Sequence, residues 1–491
     1  MVGLEFGLQV PAKHLAGVRR ALATATAKTH RLRSLSFDTP DRRLAAAGLV
    51  LRLRQADGQW TQTLESRRDG RLAAREHDVP VSGRPRRLEP DIERHKSTPV
   101  GEALARALGS DTQALQVVFE TDLQRTSRVL HGAGAAVEIC LDVGQIRVGS
   151  ARLSVCELHF KLLSGRLAGM VALAGRWIER HALWLDVRTL TERAERLARG
   201  VDAGPVVQAS NPVLKENMDP DTALRAIVGV CIAQVLPNAT ELAAGVGSPE
   251  HLHQTRVGLR RLRSALRVFG DWSVSIDAAW PLALGELFAR LGTVRDRDVI
   301  TATLLPELRA AGAPYTELPP DTGSGDIGEA LRSPQCGKLL LELIAFAHGA
   351  APQEPISLQV HRTPLIALVQ PRLKRMHRQL SKDASQFQSL DDAMRHRMRK
   401  RLKRLRYSVE FVASLYGERA VRRYLAPLKV AQNVLGQIID LNVAEAAYRS
   451  QIGKDARAWF ALGYVAARRA QLLKDAVQAL GSLVKAPRFW T

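Results

Sequence analysis

Residues 253–263 read HQTRVGLRRLR, and residues 396–406 read HRMRKRLKRLR. In the first stretch His253, Arg256, Arg260, Arg263 and Arg267 recur at +3, +4, +3 and +4. That rhythm keeps residues on one seam of a helix, where leucines normally sit. Here the seam carries cations. An apolar stripe, Leu259, Leu262, Leu266 and Phe269, runs about 100° round the same helix. In the second stretch His396, Arg399, Lys403 and Arg406 take the seam, Arg261 and Arg404 match beside it, and Met398, Leu402, Leu405 and Val409 form the apolar face. A seam of one sign suits an extended anion. Arginine strengthens the case, because its planar fork takes two phosphate oxygens at once. Each charge-assisted contact contributes about 1.5–3 kcal/mol, and such binding weakens steeply with salt.

A further cluster, Arg372, Lys374, Arg375 and Arg378, falls on another predicted helix and is a candidate for the same anion. The two histidines at the seam starts would add charge below about pH 6.5. They could equally serve as ordinary hydrogen bonders at a helix start.

The two stretches are copies. Downstream, LGTVRDRDV (291–299) aligns with LGQIIDLNV (435–443), pairing Leu291 with Leu435, Gly292 with Gly436 and Asp296 with Asp440. The nearly constant offset predicts two copies of one helical unit about a pseudo-twofold axis. Ser248-Pro249-Glu250 supplies a helix start to the first basic stretch, and Ser389 with Asp392 a capping box to the second.

These helices need a scaffold, and the chain divides in two. Up to about residue 165 the dominant period is two. Leu49 to Arg54 alternates, Asp57-Gly58 makes a turn, and Trp60 to Glu65 alternates again, a hairpin signal. A second set runs over Val137–Asp142, a turn near Gly144, Ile146–Val148 and Val155–Leu162, with helices expected over Pro11–Leu22 and Gly165–His181. Arg52 and Arg54 share one strand face, and Glu157, His159 and Lys161 another, opposite Leu158, Phe160 and Leu162. Two arrangements fit that polarity: a solvated outer face, or a barrel with a polar lumen and an apolar exterior covered by helices. GVDAGPVVQASNP (200–212) reads as a linker. Beyond it the period is 3.6, with loops expected over Glu317–Gly328 and Gly349–Ile356.

The bulk properties limit the function classes. The 491 residues imply two or three domains. The net charge is +22, both halves are basic, and a polyanionic partner follows: nucleic acid, anionic membrane or polyphosphate. Aromatic residues make up only 5% and no stacking platform accompanies the basic seams, so nucleic acid is expected to bind only non-specifically. No secretion signal or membrane-length apolar run is read, and a cytoplasmic protein is expected. Cys140, Cys156, Cys231 and Cys336 form no CxxC motif, so neither a zinc site nor a disulfide framework is expected.

HQTRVGLRRLRSALRVF, LGTVRDRDV and HRMRKRLKRLRYSVE closely resemble the CHAD domain over roughly 215–491. The resemblance implies two similar four-helix bundles around a basic groove, binding to inorganic polyphosphate and association with polyphosphate granules. It implies no required cofactor, with Mg²⁺ only as a counter-ion to the polyphosphate. The implied binding residues are His253, Arg256, Arg260, Arg261, Arg263, Arg267, Arg372, Arg375, His396, Arg399, Lys403, Arg404 and Arg406.

The first half, over about 1–200, resembles a CYTH domain, the triphosphate tunnel fold. FDTPDRRLAAAGLVLRLRQADGQWTQTLES (37–66), VFETDLQRTSRVL (118–130) and VEICLDVGQIRVGSARLSVCELHF (137–160) carry that likeness. The overall class is then α+β: an antiparallel barrel with a charged lumen, followed by an all-α domain. Active members of the family hydrolyse triphosphates with a divalent metal. This sequence departs from them. The Glu-x-Glu-x-Lys strand is Glu5-Phe6-Gly7-Leu8-Gln9, the lysine after TQTL is Glu65, and the Glu-x-Glu-x-Glu strand is Glu157-Leu158-His159-Phe160-Lys161. Glu5, Glu138 and Glu157 remain as remnants of the acids, while Arg52, Arg54, Arg125 and Arg193 match lumen positions. The resemblance therefore implies an anion-binding tunnel without efficient metal catalysis. Its alternative is a metal-dependent triphosphatase or polyphosphatase that uses Glu5, Glu76, Asp78, Glu138 and Glu157.

Overall fold

The structure, a computed structural model, describes residues 5–66, 75–81, 89–109, 115–292, 304–314, 326–349 and 363–490. Both predicted loops fall mainly outside these residues, as do Asp296 and the Glu76 side chain. The chain forms two compact units. The first holds residues 1–205 with 243–246 and 331–345; the second holds 206–242, 247–330 and 346–491.

The first unit is built on a nine-stranded antiparallel sheet: β1 (Glu5–Gln9), β2 (Lys28–Asp38), β3 (Leu49–Ala56), β4 (Gln59–Ser66), β5 (Arg75–Val81), β6 (Gln116–Gly132), β7 (Ala135–Val148), β8 (Ala151–Gly165) and β9 (Trp184–Leu185). The strand order is β5-β4-β3-β2-β6-β7-β8-β1-β9. The β3–β4 hairpin turns at Asp57-Gly58, both with positive φ, as its sequence predicts. Gly144 is not a turn. β7 runs through it, because Asp122 O passes where a side chain would stand: a Cβ there would lie 2.0 Å from that oxygen. The sheet is also open. Among the described residues β9 contributes only two residues and pairs only with β1, so nothing joins it to β5 and the expected closed barrel is not formed.

The apolar face of the sheet carries Phe6, Leu8, Ile139, Leu158 and Phe160, all buried. α4 (Leu167–His181) lies over this sheet, with Trp177 set edge-on to Phe160. On the polar face α5 (Leu190–Arg199) packs Ala194 against Leu123, Ile146 and Val155. All four cysteines are free, three of them buried.

The second unit is helical. Its helices are α6 (Pro220–Ala243), α7 (Pro249–Phe269), α8 (Trp280–Arg290), α9 (Leu305–Ala310), α10 (Ile327–Arg332), α11 (Pro334–His348), α12 (Leu365–Ser385), α13 (Asp392–Val412), α14 (Glu418–Arg449) and α15 (Ala458–Val484); the end of α10 and most of α11 cluster instead with the first unit. α6 is apolar and long enough to cross a membrane, contrary to the sequence reading. Its apolar window is 78% buried, which makes it a core helix. α12, α13, α14 and α15 pack as a four-helix bundle, and α7 meets α13. The N-cap of α13 is Asp391, which accepts from Met394 N at 2.6 Å; the predicted cap, Ser389, closes a preceding 3₁₀ turn instead. The predicted linker is anchored near its middle: the Val207 N–H donates to Asn238 Oδ1 at 3.1 Å and its carbonyl accepts from Asn238 Nδ2 at 2.9 Å.

Candidate functional site

Register assigns one face of the sheet to the polar residues. Cross-strand partners share a face, and the pairs run Gln9–Glu157–Asp142–Arg125–His30, Gly7–His159–Cys140 and Glu5–Lys161–Glu138. The same alternation puts Arg52 beside Thr63 and Arg54 beside Thr61. Arg52, Arg54, Arg125, Glu5, Glu138 and Glu157 thus lie on one face, as alternation predicts. Arg193 reaches it from α5.

The charges on this face are matched internally. Arg125 grips Asp142 with two hydrogen bonds of 2.6 and 2.7 Å, and Asp142 is 1% exposed. Arg193 pairs with Glu157, which also accepts from Gln9 Nε2 at 2.9 Å. Arg52 lies 3.7 Å from Glu65, and Arg54 3.8 Å from Asp78. His159 occupies the centre, 2.9 Å from Glu5, 3.3 Å from Glu157 and 3.7 Å from Asp142. Burial pushes the Glu5 carboxyl up, but the His159 hydrogen bond, with the charges of His159, Arg125 and Lys161, holds it below the usual range. Asp142 and the central position of His159 were not anticipated. The alternation Glu138-x-Cys140-x-Asp142 already carried the signal for Asp142.

Mg²⁺ takes oxygen ligands in octahedral geometry. Here the carboxylates point at guanidinium groups, and an imidazole fills the space between them. Among the described residues no group of three such side chains could hold a metal. The residues present do not fit the ion that active relatives use.

The basic helices are arranged differently. α7 starts at Ser248, whose N–H donates to His251 Nδ1 at 3.0 Å. Two predicted binding arginines turn inward. Arg256, 5% exposed, donates to Leu291 O at 2.5 Å just past the end of α8. Arg261, 1% exposed, reaches Ser210 O at 2.7 Å and Asn211 Oδ1 at 3.0 Å, with its guanidinium over the Phe411 ring. Arg372 is tied to Val268 O, Leu368 O and Asp271. These three hold the helices together and do not form an open anion surface, which corrects the sequence reading.

Arg260 is half-buried, while Arg263, Arg267 and Arg375 are exposed. The guanidinium carbons of Arg256, Arg260 and Arg263 lie 4.5, 5.8 and 5.6 Å from the centre of the Phe288 ring. On α13, His396, Arg399, Lys403, Arg404 and Arg406 are half-buried. Arg399 lies 3.6 Å from Asp440, and Arg406 donates to Glu410 at 2.7 Å. Burial and the charges of Lys400, Arg399 and Lys403 hold His396 below the ordinary histidine range. Burial, Arg267 and Arg401 do the same to Arg404. The charge of Arg267 in one copy thus reaches Arg404 in the other, and His253, half-buried, opens the α7 seam. The LG of each copy also has a reason. Gly292 leaves room for Arg256, whose Nη1 would be 3.1 Å from a Cβ there, and Gly436 does so for Arg399.

Comparison with known proteins agrees with this division. A family model for the CYTH domain matches residues 11–164, and one for the CHAD domain matches 226–449. An inorganic triphosphatase from Haemophilus influenzae is 32% identical over 136 residues, 27% of this chain, and the match covers 36% of that relative's own length. The crystal structure of the CHAD domain from the plant Ricinus communis is 29% identical and covers 58% of this chain and 99% of its own, with a TM-score of 0.47. A Hippeastrum protein described as having a dominant triphosphatase activity is 14% identical, over 40% of this chain and 96% of its own, with a TM-score of 0.29. The chain thus carries a CYTH domain followed by a CHAD domain.

Proposed function

We propose that this protein binds inorganic polyphosphate through the basic seams of α7 and α13, and that it associates with polyphosphate granules in the cytoplasm. The observation that carries this reading is the exposed basic seam of α7, with Arg263 and Arg267 one turn apart on the solvent side, in a stretch duplicated as α13. Like charges this close repel unless an anion lies among them. A chain of phosphates spans several cations with one flexible ligand. Mg²⁺ enters only as a counter-ion, and RNA competes only through its backbone charge.

Fluorescence anisotropy of a labelled long-chain polyphosphate against the whole protein tests the reading. Tight binding with a steep salt dependence is expected, and RNA at equal phosphate concentration should displace little. Equal displacement by RNA would overturn the specificity.

A second reading, triphosphate hydrolysis on the sheet face, is favoured by the likeness to the inorganic triphosphatase. The pairing of Glu157, Asp142, Glu65 and Asp78 with cations of the chain itself opposes it. Phosphate release from tripolyphosphate with Mg²⁺ or Mn²⁺ discriminates. No turnover is expected, and turnover abolished by Glu138→Ala would establish the enzyme.

A further inference from the structure

We infer that α13 carries a second phosphate-binding stripe, Arg397, Lys400 and Arg404, on a flank of the helix separate from its seam, and that a polyphosphate chain runs along it. The inference rests on the polyphosphate reading and adds contacts to it. The three residues recur at +3 and +4, which keeps them on one face. That face lies about 110° round the helix from His396, Arg399, Lys403 and Arg406. Arg397 and Lys400 are exposed and Arg404 is half-buried. Among the described residues none of the three side chains makes a hydrogen bond or an ion pair. Arg401, beside them, is tied to Asp383 of α12. On the seam, by contrast, Arg399 lies 3.6 Å from Asp440 and Arg406 donates to Glu410 at 2.7 Å.

The other copy shows what this flank does when it binds nothing. With His253 aligned to His396, the matching positions on α7 are Gln254, Val257, Gly258 and Arg261. There α6 covers the helix. Gln234 Nε2 donates to Gln254 at 2.8 Å, and a Cβ at Gly258 would lie 2.6 Å from Val235 Cγ2. Arg261 is 1% exposed and bonded to Gln234, Ser210 and Asn211. On α13 the amide, the valine and the glycine are replaced by Arg397, Lys400 and Arg401, and the fourth position, Arg404, has lost its hydrogen-bonding partners. Burying unpaired cations against a helix is costly, so this flank stays open to solvent. Burial and the charges of Arg267 and Arg401 also hold Arg404 below the ordinary arginine range, and a phosphate placed there offsets all three charges. α7 packs against α13. A flexible chain leaving Arg263 and Arg267 on α7 therefore meets Arg404, Lys400 and Arg397 in turn. At 1.5 Å per residue the stripe extends roughly 10 Å, a length that suits several linked phosphates and exceeds a single one.

Arg397→Gln, Lys400→Gln and Arg404→Gln together should weaken polyphosphate binding about thirtyfold in anisotropy on the whole protein. The slope of log affinity against log salt should fall by about two. Thermal unfolding should stay close to wild type, since no bonded partner is left behind. The control is Arg419→Gln, Arg423→Gln and Lys429→Gln together, which removes three exposed and equally unpaired cations from α14. It should change affinity by less than twofold. Orthophosphate at equal phosphate concentration should displace little of the labelled chain. A readout without substitutions uses the wild-type protein: bound polyphosphate should protect Lys400 from acetylation and leave Lys429 reactive. Wild-type affinity in the α13 triple variant, an equal loss in the α14 control, full displacement by orthophosphate, or Lys400 acetylated equally fast with and without polyphosphate would each overturn the stripe. Failure of the wild-type protein to bind polyphosphate is a separate result and would remove the underlying reading.

Discussion

The polar face of the N-terminal sheet and the basic seam of the helical unit are both rich in arginine, yet they use it in opposite ways. On the sheet each arginine has a carboxylate: Arg125 with Asp142, Arg193 with Glu157, Arg52 with Glu65 and Arg54 with Asp78. On α7 the cations face carbonyl oxygens, amides and a phenyl ring. An anion arriving at the sheet must compete with a carboxylate already in place. At Arg263 and Arg267, the exposed part of the α7 seam, it meets two cations one turn apart and relieves their repulsion. Arginine content alone therefore does not mark a binding site. The partner that each guanidinium already holds decides.

The strongest way to break this comparison is to remove the seam. Replacing Arg260, Arg263, Lys403 and Arg406 together by alanine should reduce polyphosphate affinity about a thousandfold, since four contacts of about 1.5–3 kcal/mol each are lost without full additivity. Unchanged anisotropy would refute it. The next test reverses the readout. Arg125→Ala leaves Asp142 buried with only His159 at 3.7 Å beside it, which should cost about 3 kcal/mol of stability in chemical denaturation. Arg263→Ala, on the exposed seam, should stay within about 0.5 kcal/mol. Equal losses would mean that the two faces do not differ.

A pH titration sharpens the seam side. Burial and neighbouring cations hold His396 below the ordinary histidine range, and a bound polyanion offsets those charges and favours the protonated ring. Affinity should then rise as pH falls through and below about 6.5, and H396A should flatten that rise. The smallest effect belongs to Glu5. Its folded carboxyl is held below the unfolded value near about 4.3. Its contribution is present above that pH and lost as pH falls through the lower folded value. Because the group is half exposed, E5Q should cost only a few tenths of a kcal/mol at pH 7, and the two proteins should converge in acid.

How much of this was legible in the sequence differs between the two regions. Strand alternation put Arg52 with Arg54 and Glu157 with His159 and Lys161, and the family resemblance added Arg125 and Glu138; the register joins them on one face, because a period of two leaves no freedom once the register is set. The repeat and the seam were equally readable. Closure of the sheet was not, since it depends on how far the edge strands run. Helical spacing put Arg261 about 100° from Arg260 but could not say that it is buried. They are neighbours in sequence, and Arg261 is drawn inward by Ser210, Asn211 and Phe411, residues far along the chain. The approach of Phe288 to Arg263 escaped notice for the same reason: only packing brings α8 under α7.

The approach of Arg267 to Arg404 also bears on how the helical unit assembles. α7 and α13 belong to different copies, and docking them brings the like charges of Arg267 and Arg404 under each other's influence. Added salt or a soluble polyanion should lower that barrier and speed refolding of the helical unit. The sheet needs the attraction between its oppositely charged partners, so the same salt should slow its assembly. A single ionic-strength series, followed by probes in each unit, would then show the two halves of one chain responding in opposite directions.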